Sequence, residues 1–180
     1  MPHIHEKPGQ HDMTASALIF RTDLPEPAVV LHIHRLLRQY LQFGGHVELH
    51  ENPWAAVIRE TREESGYELD QLQLLQPPHA GLTTYTDDTI AHPLPFCLIT
   101  HRFSDSEHFH TDAGFAFTTA EPPRHAVHDG ESTDIKLFTP AELADLPDNA
   151  IPPNVRTVIQ FAFDHILEGW NPVDPRAYHA

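Results

Sequence analysis

The sequence predicts a mixed α+β domain, with strands first, one helix in the middle and helices at the end. Apolar and polar residues alternate in "TASALIF" and "AVVLHIH", which predicts two strands joined by the proline-bearing turn "RTDLPEP". Apolar residues recur at helical spacing in the final segment, "PPNVRTVIQFAFDHILEG". At 180 residues, the chain is long enough to bury about 70% of its unfolded surface as one domain.

The remaining elements are predicted in chain order. The segment "YLQFGGHVEL" predicts a strand that two glycines interrupt, and "TPAELADL" predicts a short helix capped by Thr139. Between them, further strands are predicted at "LDQLQLL", "LPFCLITHRF", "HFHTDAGFAFTT" and "DIKLF". The turn-rich stretches "QPPHAGLTTYTDD" and "AEPPRHAVHDGESTD" predict long loops. We assign residues 1–12 to an N-terminal extension and residues 13–180 to the domain.

The composition argues against several classes of protein. The formal net charge of −15 disfavours a nucleic-acid surface, because affinity there comes mostly from Lys and Arg on phosphates. No run approaches the roughly 20 apolar residues that cross a bilayer, so we expect no membrane association and a cytoplasmic location. The single cysteine, Cys97, suits a reducing compartment and is expected to be a packing residue. Sixteen histidines are scattered without metal-ligand spacing, and we expect them on the solvated surface.

The central helix is predicted to run from Pro53 to Ser65. Asn52 is a favourable N-cap, proline is accepted in the first turn, and Gly66 supplies a C-terminal stop. Local signals therefore define both ends of this helix.

Three glutamates, Glu60, Glu63 and Glu64, share an arc of about 100° at the carboxyl end of this helix. Each acid in that position typically costs about 0.3–1 kcal/mol against the helix dipole, and Glu60 and Glu64 also repel each other. The order indicates that a positive charge belongs here, and clustered carboxylates favour hard divalent cations. From the helix alone, a surface patch offset by Arg59 and Arg62 remains an equal alternative.

The spacing around this helix carries more information. Gly45 is followed after five residues by Glu51, and after seven more by "RETREESGY", which runs from Arg59 to Tyr67. This pattern resembles the Nudix box, GX5EX7REUXEEXGU, where U is a bulky apolar residue. The one departure is Thr61 at the first U position, on the arc expected to be buried, which affects packing and leaves the acids intact.

The resemblance implies an α/β/α sandwich with a mixed sheet, and a hydrolase that cleaves a nucleoside diphosphate derivative with Mg²⁺ or Mn²⁺. It implies that Glu60, Glu63 and Glu64 ligate the metal, together with the backbone carbonyl of Gly44. Structural support of the site is expected from Gly45, Glu51, Arg59 and Gly66, with Arg59 orienting the carboxylates. The general base is expected to be Glu63 or Glu64, or Glu131 in the loop "HDGESTD".

The substrate is less defined. Tyr85 lies 18 residues after Tyr67, a spacing that resembles a marker of dinucleoside polyphosphate hydrolases. His108, His110 and Asp112 alternate along a predicted strand, so they share one face, where they contact a nucleotide, a further metal or only solvent. Dinucleoside polyphosphates, ADP-ribose, nucleotide sugars and nucleoside triphosphates all remain open, as does a homodimer.

Three other functions fit the sequence less well. Isopentenyl diphosphate isomerases need a cysteine where this chain has Phe43, which excludes them. A catalytically silent Nudix-like domain that senses a nucleotide usually lacks box acids, which are present here. A histidine-mediated binder of transition metals would keep its metal when Glu63 and Glu64 are replaced.

Overall fold

The computed structural model describes residues 4–5, 7–79, 84–86, 89–102 and 108–179, without the side chains of 84–86. The strands are β1 His11–Arg21, β2 Ala28–Ile33, β3 Tyr40–Leu41, β4 Phe43–His46, β5 Gln73–Gln76, β6 Thr84–Thr86, β7 Thr89–Ile90, β8 Cys97–Arg102, β9 Phe109–Thr119, β10 Ile135–Phe138 and β11 Asn171–Val173. The α-helices are α1 Pro53–Ser65, α2 Pro140–Asp145 and α3 Pro153–Phe161. Single turns of other helix types lie at Leu69–Gln71, Ala162–Ile166 and Pro175–Ala177.

Nine strands of the described ranges form one mixed sheet around a parallel pair, β1 and β9. On one side of this pair, the second half of β1 pairs with β2, and its first half pairs with β4. On the other side, the end of β9 pairs with β5, and its first half pairs with β8. The sheet therefore divides on both sides of the central pair.

Helices cover both faces of the sheet. Helix α1 packs through Trp54 and Val57 against Ala15, Ala17 and Ile19, which alternate along β1. The intervening positions, Leu18 and Phe20, face the opposite way and pack with residues of α2 and α3. The predicted α/β/α sandwich with a mixed sheet is confirmed.

Helix α1 has the bounds that the sequence predicts. The Asn52 side chain accepts a hydrogen bond from the Ala55 amide at 2.9 Å and caps the first turn. Gly66 has a φ of 73°, a left-handed conformation that glycine adopts without steric strain, and its amide donates to the Arg62 carbonyl. This cap fixes where the three glutamates stand relative to the sheet.

Several predicted elements differ in detail. Strand β1 begins at His11, so residues 11 and 12 of the assigned extension belong to the sheet. The segment "YLQFGGHVEL" forms two strands with different partners. Strand β3 pairs with β2, whereas β4 pairs with β1. The predicted loop "QPPHAGLTTYTDD" was wrong in part, since β6 lies within it and pairs with β7.

Later segments also depart from the prediction. The segment "LDQLQLL" begins with a 3-10 turn before β5. Helix α3 gives way at Ala162 to a π-helical turn, and β11, which the sequence did not predict, pairs with β5. Cys97 is half-buried at the start of β8. No helix among the described residues combines the length and apolarity needed to span a bilayer.

Replacing Thr61 with valine is expected to stabilise the protein. Thr61 is 3% exposed, and its hydroxyl has no hydrogen-bond partner among the residues that the structure describes. A methyl group of similar size removes the penalty of burying that hydroxyl, so urea denaturation should show a gain of about 1 kcal/mol in unfolding free energy. Thr157→Val is the control, because the Thr157 hydroxyl donates to the Pro153 carbonyl on an exposed helix face. Equal or lower stability of Thr61→Val would contradict this packing.

Candidate functional site

The two glycines of β4 lie directly against the carboxyl half of α1. The Gly44 amide donates a 2.8 Å hydrogen bond to Glu64 Oε2. A Cβ on Gly45 would lie 2.7 Å from the carboxyl carbon of Glu60, which is far inside van der Waals contact. Only a glycine lets the strand and this carboxylate approach so closely.

Arg59 connects the acids of the predicted box. Its guanidinium donates to both carboxylate oxygens of Glu51, at 2.8 and 3.0 Å. One of its terminal nitrogens also donates to Glu60 at 2.7 Å and to Glu63 at 3.3 Å. The two-pronged contact with Glu51 fixes the guanidinium plane and lowers the pKa of the Glu51 carboxyl. Arg59 is therefore placed to orient two of the helix acids.

The glutamate face of α1 is not a solvated patch. Glu60 is 4% exposed and Glu64 is 8% exposed, whereas the Glu63 side chain is about one third exposed. Burial raises the pKa of Glu60, against the opposing effect of Arg59. Burial also raises the pKa of Glu64 to about 8, although the Gly44 hydrogen bond opposes it. The surface-patch alternative is therefore wrong for Glu60 and Glu64.

The loop between β9 and β10 covers the last turn of α1 and carries a further acid, Glu131. The His125 amide donates to the Gly66 carbonyl, and the His128 amide donates to the Glu63 carbonyl, so the loop covers the last turn of α1. Glu131 follows, and its charge raises the pKa of both Glu60 and Glu64. A Cβ on Gly66 would clash with the His125 backbone, so the packing of this loop requires glycine here, in addition to the left-handed φ.

His32 is a neighbour of the site that sequence reasoning missed. It lies on β2, is 3% exposed, packs against Phe43 and has its Nε2 4.0 Å from Glu64 Oε2. Burial lowers the pKa of His32 to about 4, so its ring is neutral near pH 7. One sequence signal could have indicated it: alternation along β2 places His32 on the same face as the buried Val30, where an apolar residue would be expected.

His108, just before β9, and His110 and Asp112 on β9 are all buried, so the alternative of a solvent face is wrong. His108, His110 and Asp112 are 6–7% exposed. Asp112 accepts hydrogen bonds from the Thr14 and Ser16 hydroxyls at 2.8 and 2.6 Å, which ties β9 to β1. Tyr85 lies on β6, and its side chain is outside the described part of the chain.

The expectation of surface histidines also needs correction. His32, His108 and His110 are buried, and the His46 side chain is only 12% exposed. His46, His108 and His110 lie around Asp12, a residue that no sequence pattern had singled out. Asp12 and His46 are far from His108 and His110 in the sequence, so spacing alone could not indicate the cluster.

The donors at the end of α1 suit a hard divalent cation. They are carboxylate oxygens, two of them on buried side chains, and the glycine pair leaves the backbone next to them without a Cβ. A cation here would offset the charge that burial and the helix dipole both disfavour.

The fold and the site define a class: an α/β/α sandwich in which helix carboxylates lie against a Gly-Gly strand. The family model of the NUDIX domain matches residues 11–159. The chain belongs to the NUDIX family and is a Nudix-type hydrolase.

Solved structures agree with this assignment. A NUDIX-family hydrolase from Clostridium perfringens is 28% identical, with a TM-score of 0.69 over 85% of this chain and 96% of that chain. The fold is also similar to Ap4A hydrolase from C. elegans, at 17% identity and a TM-score of 0.58 over 86% and 98%. The NUDIX domain of Shewanella oneidensis NrtR, complexed with ADP ribose, is 15% identical, with a TM-score of 0.56 over 86% and 88%. No match is found among curated proteins.

The stability of the metal-free protein is expected to fall as the pH rises from about 6.5 to about 8. Folded Glu64 keeps its proton up to a pKa of about 8, whereas the unfolded chain releases it near 4.5. The folded state then binds more protons in this window, so the free energy of unfolding decreases by up to about 1.4 kcal/mol per pH unit. His32, whose pKa is lowered, acts in the opposite direction only below about pH 6.5.

Urea denaturation in EDTA at several pH values measures this slope. Glu64→Gln should flatten it, because the amide does not titrate. An unchanged slope in that variant would show that Glu64 is not the group responsible.

Proposed function

We propose that the protein hydrolyses the diphosphate linkage of a nucleoside diphosphate derivative and requires Mg²⁺ or Mn²⁺. The observation that carries this proposal is the close packing of the buried Glu60 and Glu64 against Gly45 and Gly44, with Arg59 joining Glu60 to Glu63. Helix acids in this arrangement have no structural benefit of their own. The complete set of acids favours catalysis over the silent, nucleotide-sensing alternative.

The ligands of the cation would be Glu60, Glu63 and Glu64, with the backbone carbonyl of Gly44. When bound, the cation would neutralise phosphate charge and lower the pKa of the attacking water. Arg59 holds Glu60 and Glu63 through its hydrogen bonds and is itself fixed by Glu51. The Gly44 amide orients Glu64 in the same way.

The reaction needs one carboxylate that accepts a proton. The water oxygen forms a bond to phosphorus, its proton passes to the carboxylate, and the bond from phosphorus to the bridging oxygen breaks with its electron pair on the leaving phosphate. The candidates for this base are Glu63, Glu64 and Glu131. Glu131 lies on a loop, which allows it to approach a bound substrate, whereas Glu64 is held by Gly44.

Small nucleotides are the proposed substrate class. Among the structural relatives, one is an Ap4A hydrolase and another was solved with ADP ribose. Dinucleoside polyphosphates, ADP-ribose, nucleotide sugars and nucleoside triphosphates are the candidates. With a net charge of −15, the enzyme would repel such anions unless cations offset the charge at its site. A cytoplasmic location and a homodimer complete the proposal, and the single thiol of Cys97 suits a reducing compartment.

Purified protein with Mg²⁺ or Mn²⁺ should release phosphate or nucleotide from at least one member of a panel. The panel contains ADP-ribose, NADH, dinucleoside polyphosphates, nucleotide sugars and nucleoside triphosphates. Glu64→Gln should lower kcat by about 100-fold or more, because the nearly isosteric amide removes a charge from the site. No release from any compound with either ion would overturn the proposed function.

Two further variants separate the roles of the acids. Glu131→Gln should lower kcat and leave Mg²⁺ affinity unchanged if Glu131 is the base, whereas Glu63→Gln should weaken Mg²⁺ binding as a ligand. Glu168→Gln, an exposed acid near the chain end, is the matched control and should retain full activity. Equal activity of the Glu64 and Glu168 variants would place the chemistry elsewhere.

A further inference from the structure

A second group of side chains capable of binding a metal lies on the sheet face opposite α1. Residues opposite each other on neighbouring strands share a face, and the register pairs Asp12 with His110, Thr14 with His46 and His110 with His101. Asp12 alternates with Met13, which packs on the α1 side. Strands β4, β1, β9 and β8 therefore present one row of polar side chains on the other face.

The side chains of this row converge on one point. Single donor atoms of Asp12, His46 and His110 all lie within 4.8 Å of one another. His46 Nε2 is 3.5 Å, and His108 Nε2 is 3.2 Å, from Asp12 Oδ2. The rings of His46 and His108 stand nearly perpendicular to that of His110, with centroids 5.0 and 5.3 Å away. The Asp12 carboxylate thus lies beside the imidazoles of His46, His108 and His110, in addition to that of His5.

These separations suit a small ion in a tetrahedral site. Zinc lies about 2.0–2.2 Å from nitrogen and oxygen ligands, which places neighbouring ligand atoms about 3.4 Å apart. The distances from Asp12 to His46 and His108 are already close to that value. The donor atom of His110 lies within 4.8 Å of those of Asp12 and His46, so a bound ion would draw it closer.

Asp12 is held in place by hydrogen bonds from two residues that precede β1. Its Oδ1 accepts hydrogen bonds from the His5 amide and from His5 Nδ1, at 2.9 and 2.8 Å, and its Oδ2 accepts from the Ile4 amide at 3.2 Å. The side chain is 1% exposed. Hydrogen-bonded partners that orient a ligating carboxylate are characteristic of metal sites.

We propose that Asp12, His46 and His110, with His108 as a fourth donor, bind one transition-metal ion of the Zn²⁺ class. Imidazole nitrogens favour such ions, whereas the carboxylates at the end of α1 favour Mg²⁺ or Mn²⁺. The ion would join three strands, and two of its ligands, Asp12 and His110, are 98 residues apart in the sequence. Its role would be to hold the divided part of the sheet together. This site does not depend on the proposed hydrolysis.

Zn²⁺ affinity and stoichiometry, measured by competition with a chromophoric chelator, test the site. Wild-type protein should bind one ion tightly, and so should the variant Glu63→Gln with Glu64→Gln. Replacing a residue that only hydrogen-bonds to a metal ligand typically weakens metal binding by about 10–100-fold. Asp12→Asn and His110→Ala replace ligands themselves, so each should weaken Zn²⁺ binding by about 100-fold or more. Visible spectra of the Co²⁺-loaded protein should show four-coordinate geometry that these variants lose.

His11→Ala is the matched control. His11 adjoins Asp12 on β1, but its ring stacks on Phe109 and is exposed, so Zn²⁺ affinity should not change. A cooperative thermal unfolding transition in EDTA establishes that each variant folds. If a variant does not fold, His46→Gln takes its place in the test, because the His46 side chain is less buried. Equal affinity in the Asp12 and His110 variants, loss of Zn²⁺ in the double glutamine variant, or no tight binding by the wild type would overturn the site.

Discussion

The burial of Glu60 and Glu64 at the carboxyl end of α1 is the constraint on which the rest of the structure depends. An ionised carboxylate loses several kcal/mol of solvation when it is buried, and this end of a helix adds further repulsion. Three features reduce this cost. The Arg59 guanidinium donates to Glu60, the Gly44 amide donates to Glu64, and burial raises the pKa of both acids. These offset the charge within the protein and leave room for a cation to complete it.

The division of the sheet explains how the site is assembled. Strand β4 can reach the first half of β1 because β2 pairs only with the second half. Its glycines then meet the glutamates on the α1 side, while the next residue, His46, belongs to the histidine row on the opposite face. The loop after β9 covers the last turn of α1 and supplies Glu131. One short strand thus takes part in two separate groups of donors.

Much of this arrangement could be predicted from local signals. Asn52, Pro53 and Gly66 define α1 because caps and stops act within a few residues, and the spacing from Gly45 to Tyr67 identifies the family. The burial of Glu60 was not predictable, since a helical wheel gives the direction of a side chain and not what packs over it. The histidine row could not be predicted either, because it exists only through the register of β1 with β9 and β4. The π-helical turn after Phe161 likewise has no local sequence signal that we recognise.

The central claim is that the buried acids form a cation site whose charge is completed by the metal. The most direct measurement is proton release on Mg²⁺ binding, from calorimetry at pH 7 in buffers of different ionisation enthalpy. Because Glu64 has a pKa of about 8 and a ligand must be ionised, each bound ion should release about one proton. Glu64→Gln should release close to none. Mg²⁺ binding without proton release in the wild type, or equal release in the variant, would contradict the claim.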